Sequence, residues 1–396
     1  MKERVQSIST RAVYGGTSIP ESRSRPVVAP IYTAAVFSFE SLSQLDDVWE
    51  GREPGYVYSR MRNPTVEALE SAVNDLEGGH GAVAFASGMA ATALSILSCV
   101  SQGDHVVAAK VLYGGTYTFF RDELPKRGVS ASFVDIVDLD EVRSAVHPGT
   151  RVLYCETISN PLMEVADLSA LAEIAHGAGA VFMVDNTFAS PVLCRPIEFS
   201  ADVVIHSSTK YLNGHSDIIG GVSVASSEKV AGNIRSLATL YGATPSPFDA
   251  YLTLRGLRTL CLRVKKSSEN AMRLAGFLKA HPRVRGVYYP GLEGSPQRPL
   301  AERYLSGGFG AMLSFEVEGG LEGASRFIDS LSMVELVPSL ADLSTTISHP
   351  GKTSHRSVPE TDREASGVRD GLIRVSVGVE DYDDIERDFA QALERV

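Results

Sequence analysis

Five short apolar runs, at residues 82–86, 105–109, 152–155, 181–184 and 203–205, each end in polar residues and are followed by segments with helical spacing. A strand that is apolar along its whole length is buried on both faces, and helices between such strands carry the chain back for parallel pairing. This pattern constrains the chain to an α/β architecture with a mainly parallel sheet and helices on both faces. Ligands of open α/β sheets gather at the carboxyl ends of the strands, so chemistry is expected there.

Other features organise the flanks. Residues 1–60 are rich in Ser, Arg, Pro and Gly and read as an extended N-terminal arm. Asn63-Pro64-Thr65 is a helix start, continued by Val66, Leu69, Val73 and Leu76 and stopped at Gly78-Gly79. The large sheet domain is expected over 61–255. A stripe of Leu257, Leu260, Val264, Ala271, Leu274 and Leu278, broken at His281-Pro282, leads into a smaller C-terminal α/β domain over 256–396. Strands are expected there at 312–317 and 372–379, with a polar stretch at 338–366 between them. Gly307-Gly308-Phe309-Gly310 precedes a strand and opens no helix, so it reads as a turn rather than a nucleotide loop.

Charge and composition exclude several classes. With 37 basic against 48 acidic residues the net charge is −11, which repels polyanions and makes nucleic acid an unexpected partner. No run approaches the roughly 18–20 apolar residues of a membrane span, and the first thirty residues lack the apolar core of a signal peptide, so a cytoplasmic protein is expected. Cys99, Cys155, Cys194 and Cys261 are far apart in sequence and fit no metal-ligand spacing, which suggests buried free thiols and no metal site.

The strand ends carry a distinctive set of groups. Ser87-Gly88-Met89 lies between an apolar run and a helix, where a hydroxyl and free N–H groups can hold an anion or simply cap the helix. Asp185 closes the run 181–184, and Ser207-Ser208-Thr209-Lys210 follows the run 203–205. Taken alone, Asp185 and Lys210 would make a buried ion pair. Taken with the hydroxyls and the anion turn, they supply an amine, an acid and a phosphate cradle. Pyridoxal 5′-phosphate (PLP) needs those three: an amine to form a Schiff base, a carboxylate at its pyridine nitrogen, and donors around its phosphate. Burial also eases loss of the lysine proton, which makes Lys210 both nucleophile and base.

The run from Ser207 through Lys210, Tyr211, Asn213, Gly214 and His215 to Asp217 resembles the lysine signature of the Cys/Met-metabolism PLP enzymes, which include cystathionine γ-synthases, cystathionine lyases and methionine γ-lyases. The resemblance implies the aspartate-aminotransferase-type fold, fold type I. It implies that Tyr58 and Arg60 bind the cofactor phosphate of a neighbouring subunit, in a homotetramer built from active dimers. Ser87, Gly88, Met89, Ser207 and Thr209 fall on phosphate ligands, Tyr113 on the residue stacked over the ring, and Glu156 and Asn160 beside the ring hydroxyl. Asp185 falls on the partner of the pyridine nitrogen, and Ser339 and Arg374 on residues holding the substrate carboxylate.

Bottom-up, Arg374 shares a strand face with Leu372 and Ser376, while Ile373, Val375 and Val377 face the other way. A guanidinium fork suits a carboxylate. The resemblance therefore implies γ-elimination or γ-replacement on an amino acid bearing a leaving group on Cγ, with Lys210, Tyr113 and Asp185 as the catalytic set. A β-lyase would use the same residues; an aminotransferase would share Lys210 and Asp185 but not the signature; a non-catalytic interaction protein would not need the intact set. His349 and His355 are expected in a polar loop over the site entrance.

Three positions depart from the family pattern. Gly115 stands where methionine γ-lyases carry Cys, Ser344 where cystathionine enzymes often carry Glu, and Lys352 where a small hydroxyl residue is usual. If functional, these changes disfavour methionine and cystathionine, and Lys352 would favour an anionic or compact side chain such as that of an acylated or phosphorylated homoserine.

Overall fold

A computed structural model describes residues 24, 26–356, 358–365 and 367–396. Residues Ile31–Val396 form one compact unit. The described residues of 1–30 include no helix or strand, and the rest of that part of the predicted arm lies outside the described residues. The remainder of the arm contains a helix, Leu42–Trp49, capped by Ser41, whose hydroxyl accepts the N–H of Gln44. The expectation of an extended segment there is corrected: a serine cap is a sufficient start signal and was overlooked.

Seven strands form the large sheet: β1 (Gly81–Phe85), β2 (His105–Ala109), β3 (Ser130–Val134), β4 (Thr150–Glu156), β5 (Val181–Asp185), β6 (Val203–His206) and β7 (Gly221–Ala225). Their order is β1-β7-β6-β5-β4-β2-β3, and β2 to β6 pair in parallel. Only β7 runs against its neighbours, β1 and β6. The five runs read as strands are thus strands. β3 and β7 were not foreseen, because Ser130–Val134 is a part-exposed edge and Gly221–Ala225 is short and includes Gly and Ser.

Helix Pro64–Glu77 begins as the sequence implies: Asn63 Oδ1 accepts the N–H of Thr65 at 2.9 Å, and Gly78, at φ 74°, ends the helix. Val66, Leu69 and Val73 bury against the sheet, in one core with Val106, Val107, Ala108 and Ala109 of β2. Each such side chain stabilises the fold by about 1.5–3 kcal/mol relative to exposure.

The stripe beginning at Leu257 is two helices, Pro247–Leu257 and Leu260–Ala280. Arg263 donates to the carbonyls of Gly256 (2.8 Å) and Tyr211 (2.9 Å), satisfying backbone groups at the break.

The second sheet contains β8 (Val284–Tyr288), β9 (Met312–Val317), β10 (Glu335–Leu336), β11 (Thr346–Ser348) and β12 (Leu372–Ser376), in the order β10-β11-β12-β9-β8. Ile373 and Val375 point into a second core with Leu313, Phe315, Phe327 and Phe389. The alternate face of β12 carries Arg374 and Ser376, as the alternation requires. The polar stretch 338–366 is not all loop: it contains β11, the turn Pro350–Lys352 and the helix Glu360–Ala365. Among the described residues no helix is long and apolar enough to cross a membrane.

Candidate active site

The carboxyl ends of β4, β5 and β6 bring Glu156, Asp185 and the Ser207–Lys210 turn side by side, with Glu156 and Asp185 in register. A cavity of about 630 Å³ opens over them. It is lined by Ser87, Gly88, Met89, Tyr113, Glu156, Asn160, Asp185, Ser207, Thr209, Lys210, Ser339 and Arg374, all singled out from sequence. Tyr58 and Arg60 are not among its lining residues. Arg60 donates to the carbonyl of Thr239 (2.7 Å) and lies 5.4 Å over the Tyr58 ring, both part of a solvent-facing segment.

Lys210 and Asp185 do not form the ion pair that the two residues alone would suggest. Lys210 Nζ instead donates to Ser339 Oγ at 2.7 Å. Burial, reinforced by the positive charge of Arg374, lowers the ammonium from its usual range to about 8. The amine is therefore accessible in its neutral form near neutral pH.

Asp185 Oδ1 accepts the N–H of Thr187 (2.9 Å), and the Tyr154 hydroxyl stands 3.4 Å from Oδ2. Burial pushes the Asp185 carboxyl upward, opposed chiefly by the Thr187 donors. Glu156 is also pushed upward, by burial and by the Asp185 charge, although its oxygens accept the N–H groups of Tyr113 (2.7 Å) and Asn160 (3.0 Å). The first of these bonds seats the Tyr113 backbone at the cavity edge, where the residue is 45% exposed and within reach of a ligand.

On the phosphate side, Ser87 caps helix Gly88–Leu97 by accepting the N–H of Ala90 (3.1 Å) while also lining the cavity, so its structural and functional readings coexist. A Cβ on Gly88 would lie 2.8 Å from both Cβ and Oγ of Ser207. The cradle therefore admits no side chain there. Thr209 Oγ1 accepts the N–H of Gly220 (3.0 Å), and Thr187 Oγ1 accepts that of Ser207 (2.9 Å), fixing the turn.

Arg374 reaches the cavity from the second sheet. It is 3% exposed, donating to Asn160 Oδ1 (2.9 Å) and to the Ser339 carbonyl (3.3 Å). Burial pulls its guanidinium down to about 10, so it stays charged at neutral pH. No carboxylate among the described residues is within ion-pair distance of it.

The chain matches the model of a family described as "Cys/Met metabolism PLP-dependent enzyme" over residues 9–394. It belongs to that family. It is 43% identical over 389 residues to a cystathionine beta-lyase of Coxiella burnetii, covering 98% of this chain and 97% of that protein. It is 39% identical over 399 residues to an L-methionine gamma-lyase of Fusobacterium nucleatum, covering 100% of each. Among solved structures, a cystathionine gamma synthase from Xanthomonas oryzae pv. oryzae in complex with aminoacrylate and cysteine superposes with a TM-score of 0.89 at 38% identity, covering 93% of each chain. The family member described here is accordingly a PLP-dependent enzyme of fold type I. Its site chemistry agrees: one partly neutral buried amine, a buried carboxylate, a hydroxyl-rich turn and a side-chain-free cradle converge on one cavity.

Several expectations need correction. His349 and His355 are buried rather than over the entrance; His349 Nε2 donates to the Asp370 carbonyl at 2.8 Å, and burial with the nearby Arg374 charge lowers His355 to about 4. The loop reaches the cavity through Thr353 and Ser354 instead. Lys352 and Ser344 are exposed and do not line the cavity, whereas Gly115 does. All four cysteines are free, but only Cys155 and Cys194 are buried; Cys99 is half-buried and Cys261 exposed. Among the described residues no cluster of three or more His, Cys, Asp or Glu could hold a metal.

Sequence reading also missed Thr187, Phe188, Ile158, Ile219 and Leu340 in the lining. Thr187 was legible: it ends the polar run Asp185-Asn186-Thr187 directly after a buried strand. Ile219 carried no signal: it is an apolar residue, 65% exposed, just beyond the motif that ends at Asp217.

Proposed function

We propose that this enzyme catalyses γ-elimination or γ-replacement on an amino acid carrying a leaving group on Cγ. The observation that carries the reading is Arg374: a buried, charged guanidinium facing a cavity without a carboxylate partner is suited to the carboxylate of a substrate. Ser339 would assist it.

When bound, PLP supplies an electrophilic carbon and an electron-withdrawing ring. Ser87, Gly88, Met89, Ser207 and Thr209 would hold its phosphate, Tyr113 would stack on its ring, and Glu156 and Asn160 would flank its ring hydroxyl. Asp185 would hold a proton on the ring nitrogen. Lys210 would anchor the cofactor; once released, its neutral Nζ would take the proton from the substrate Cα, return it to the cofactor–substrate system, and, neutral again, take a proton from Cβ. The Tyr113 hydroxyl moves a proton toward the group leaving Cγ. A reading as β-elimination, which stops after the first proton removal, is favoured by the 43% identical relative named cystathionine beta-lyase.

The wider assignment follows the same reading: Tyr58 and Arg60 serve the adjacent subunit's site in a homotetramer, residues 1–60 form the arm, 61–255 and 256–396 the two domains, and the enzyme works in the cytoplasm. The test is a panel of O-acylated homoserines, cystathionine, methionine and cysteine, comparing kcat/KM for 2-oxo acid release and for thiol replacement. Best turnover of a γ-substituted substrate supports the proposal. Best turnover of a β-substituted one overturns it.

A further inference from the structure

Beneath the strand ends that present Asp185 and Ser207 lies a buried polar network that the proposed chemistry does not use. Glu77, the last residue of helix Pro64–Glu77, is fully buried, as is Asn186, and His206 is 1% exposed. A single oxygen, Glu77 Oε1, accepts from Asn186 Nδ2 (3.0 Å) and pairs with His206 Nε2 (2.5 Å). Asn186 is braced further: Nδ2 also donates to the Cys194 carbonyl (2.8 Å), and Oδ1 accepts from the Thr157 hydroxyl (2.8 Å). The other Glu77 oxygen has no hydrogen-bond partner among the described residues.

A buried carboxyl with one unsatisfied oxygen is a poor way to stabilise a core, since apolar residues of similar size pack there at no desolvation cost. What the arrangement does achieve is placement. Asn186 directly follows Asp185, and His206 directly precedes Ser207. Successive residues at a strand end project to opposite sides of the sheet, so groups on the Glu77 side are braced while their neighbours face the cavity.

We propose that Glu77 is a positioning residue that ties the segment after Asp185 to the segment before Ser207, through Asn186 and His206, and so fixes the spacing between the Asp185 carboxylate and the Ser207–Lys210 turn. This rests on the reading that Asp185 and Lys210 hold the cofactor.

The test compares His206→Gln with His206→Asn. Both are neutral amides, but only Gln extends its amide nitrogen about as far as the imidazole Nε2. Cofactor-free protein is titrated with PLP, the absorption of the bound cofactor is recorded, and melting is followed by circular dichroism at the same pH. His206→Asn is expected to weaken PLP binding about tenfold or more, the scale on which loss of an outer hydrogen-bond partner is felt, and to lower kcat more than it raises KM. His206→Gln is expected to recover most of the affinity and the absorption. Equal impairment of the two variants, or wild-type behaviour of both, overturns the proposal. If His206→Asn does not fold, Asn186→Ala cuts the other arm and must give the same loss; an unaltered affinity there overturns it too. Asp185→Ala is run in parallel: wild-type PLP affinity and absorption in that variant refute the role of Asp185, whereas disruption there with none at His206 refutes the role of Glu77 alone.

Discussion

Replacing Arg374 by Ala removes a buried cation that faces the cavity from the second sheet. Its fork donates to Asn160 Oδ1 and the Ser339 carbonyl, which orients the guanidinium without neutralising it. Losing a buried, charged hydrogen-bond partner of a carboxylate costs about 2–5 kcal/mol. At about 1.36 kcal/mol per decade that is a rise in KM of roughly 30- to 5,000-fold. The proposed cofactor contacts other than Asn160 do not involve Arg374, so the variant is expected to keep its bound PLP. Arg374→Lys preserves charge but not the planar fork, and is expected to recover only a small part of the loss. Steady-state kinetics on the best substrate, with cofactor content measured by absorbance, decides the matter. An unchanged KM in both variants would refute the assignment of the carboxylate site to Arg374.

Further outcomes follow from the same geometry. Borohydride reduction of the holoenzyme should fix the cofactor on the peptide containing Lys210, and a label on any other residue would contradict that anchor. In cofactor-free protein, the rate of Lys210 acylation against pH should show a midpoint near 8 rather than the ordinary lysine value of 10.5, because burial and Arg374 both disfavour the ammonium. Arg374→Ala removes the like charge, so its midpoint should move up; a fixed midpoint would assign the whole shift to burial. Mixed oligomers of Arg60→Ala and Lys210→Ala should regain activity if sites are shared between subunits. Verified mixed oligomers without activity would show that Arg60 serves no neighbouring site.

The parallel core strands were legible because burial on both faces leaves no polar alternation, and Asp185 and the Ser207–Lys210 turn were legible because they lie at the polar ends of such runs, whereas Glu156 was found only through the family resemblance. Strand Gly221–Ala225 was hidden by its Gly and Ser, although it is buried throughout. Strand Thr346–Ser348 is three residues long, below what periodicity can resolve. Thr353 and Ser354 line the cavity, and the Ser354 carbonyl packs where a side chain on Gly114 would stand, a long-range fit that local sequence does not encode. The same limit applies to Lys352, whose neighbours in sequence line the site while it faces solvent. Glu77 and His206 looked like a helix end and a strand residue, since a pair so distant in sequence announces itself only in the fold.

Cystathionine carries both kinds of leaving group, and its products separate the two chemistries most directly. γ-Elimination with one water releases cysteine, 2-oxobutyrate and ammonia; β-elimination releases homocysteine, pyruvate and ammonia. The measurement is the ratio of 2-oxobutyrate to pyruvate formed by the purified holoenzyme, checked against the thiol released, with Lys210→Ala as the blank. The account predicts 2-oxobutyrate with cysteine, in equal amounts and absent from the blank. Pyruvate with homocysteine would contradict it.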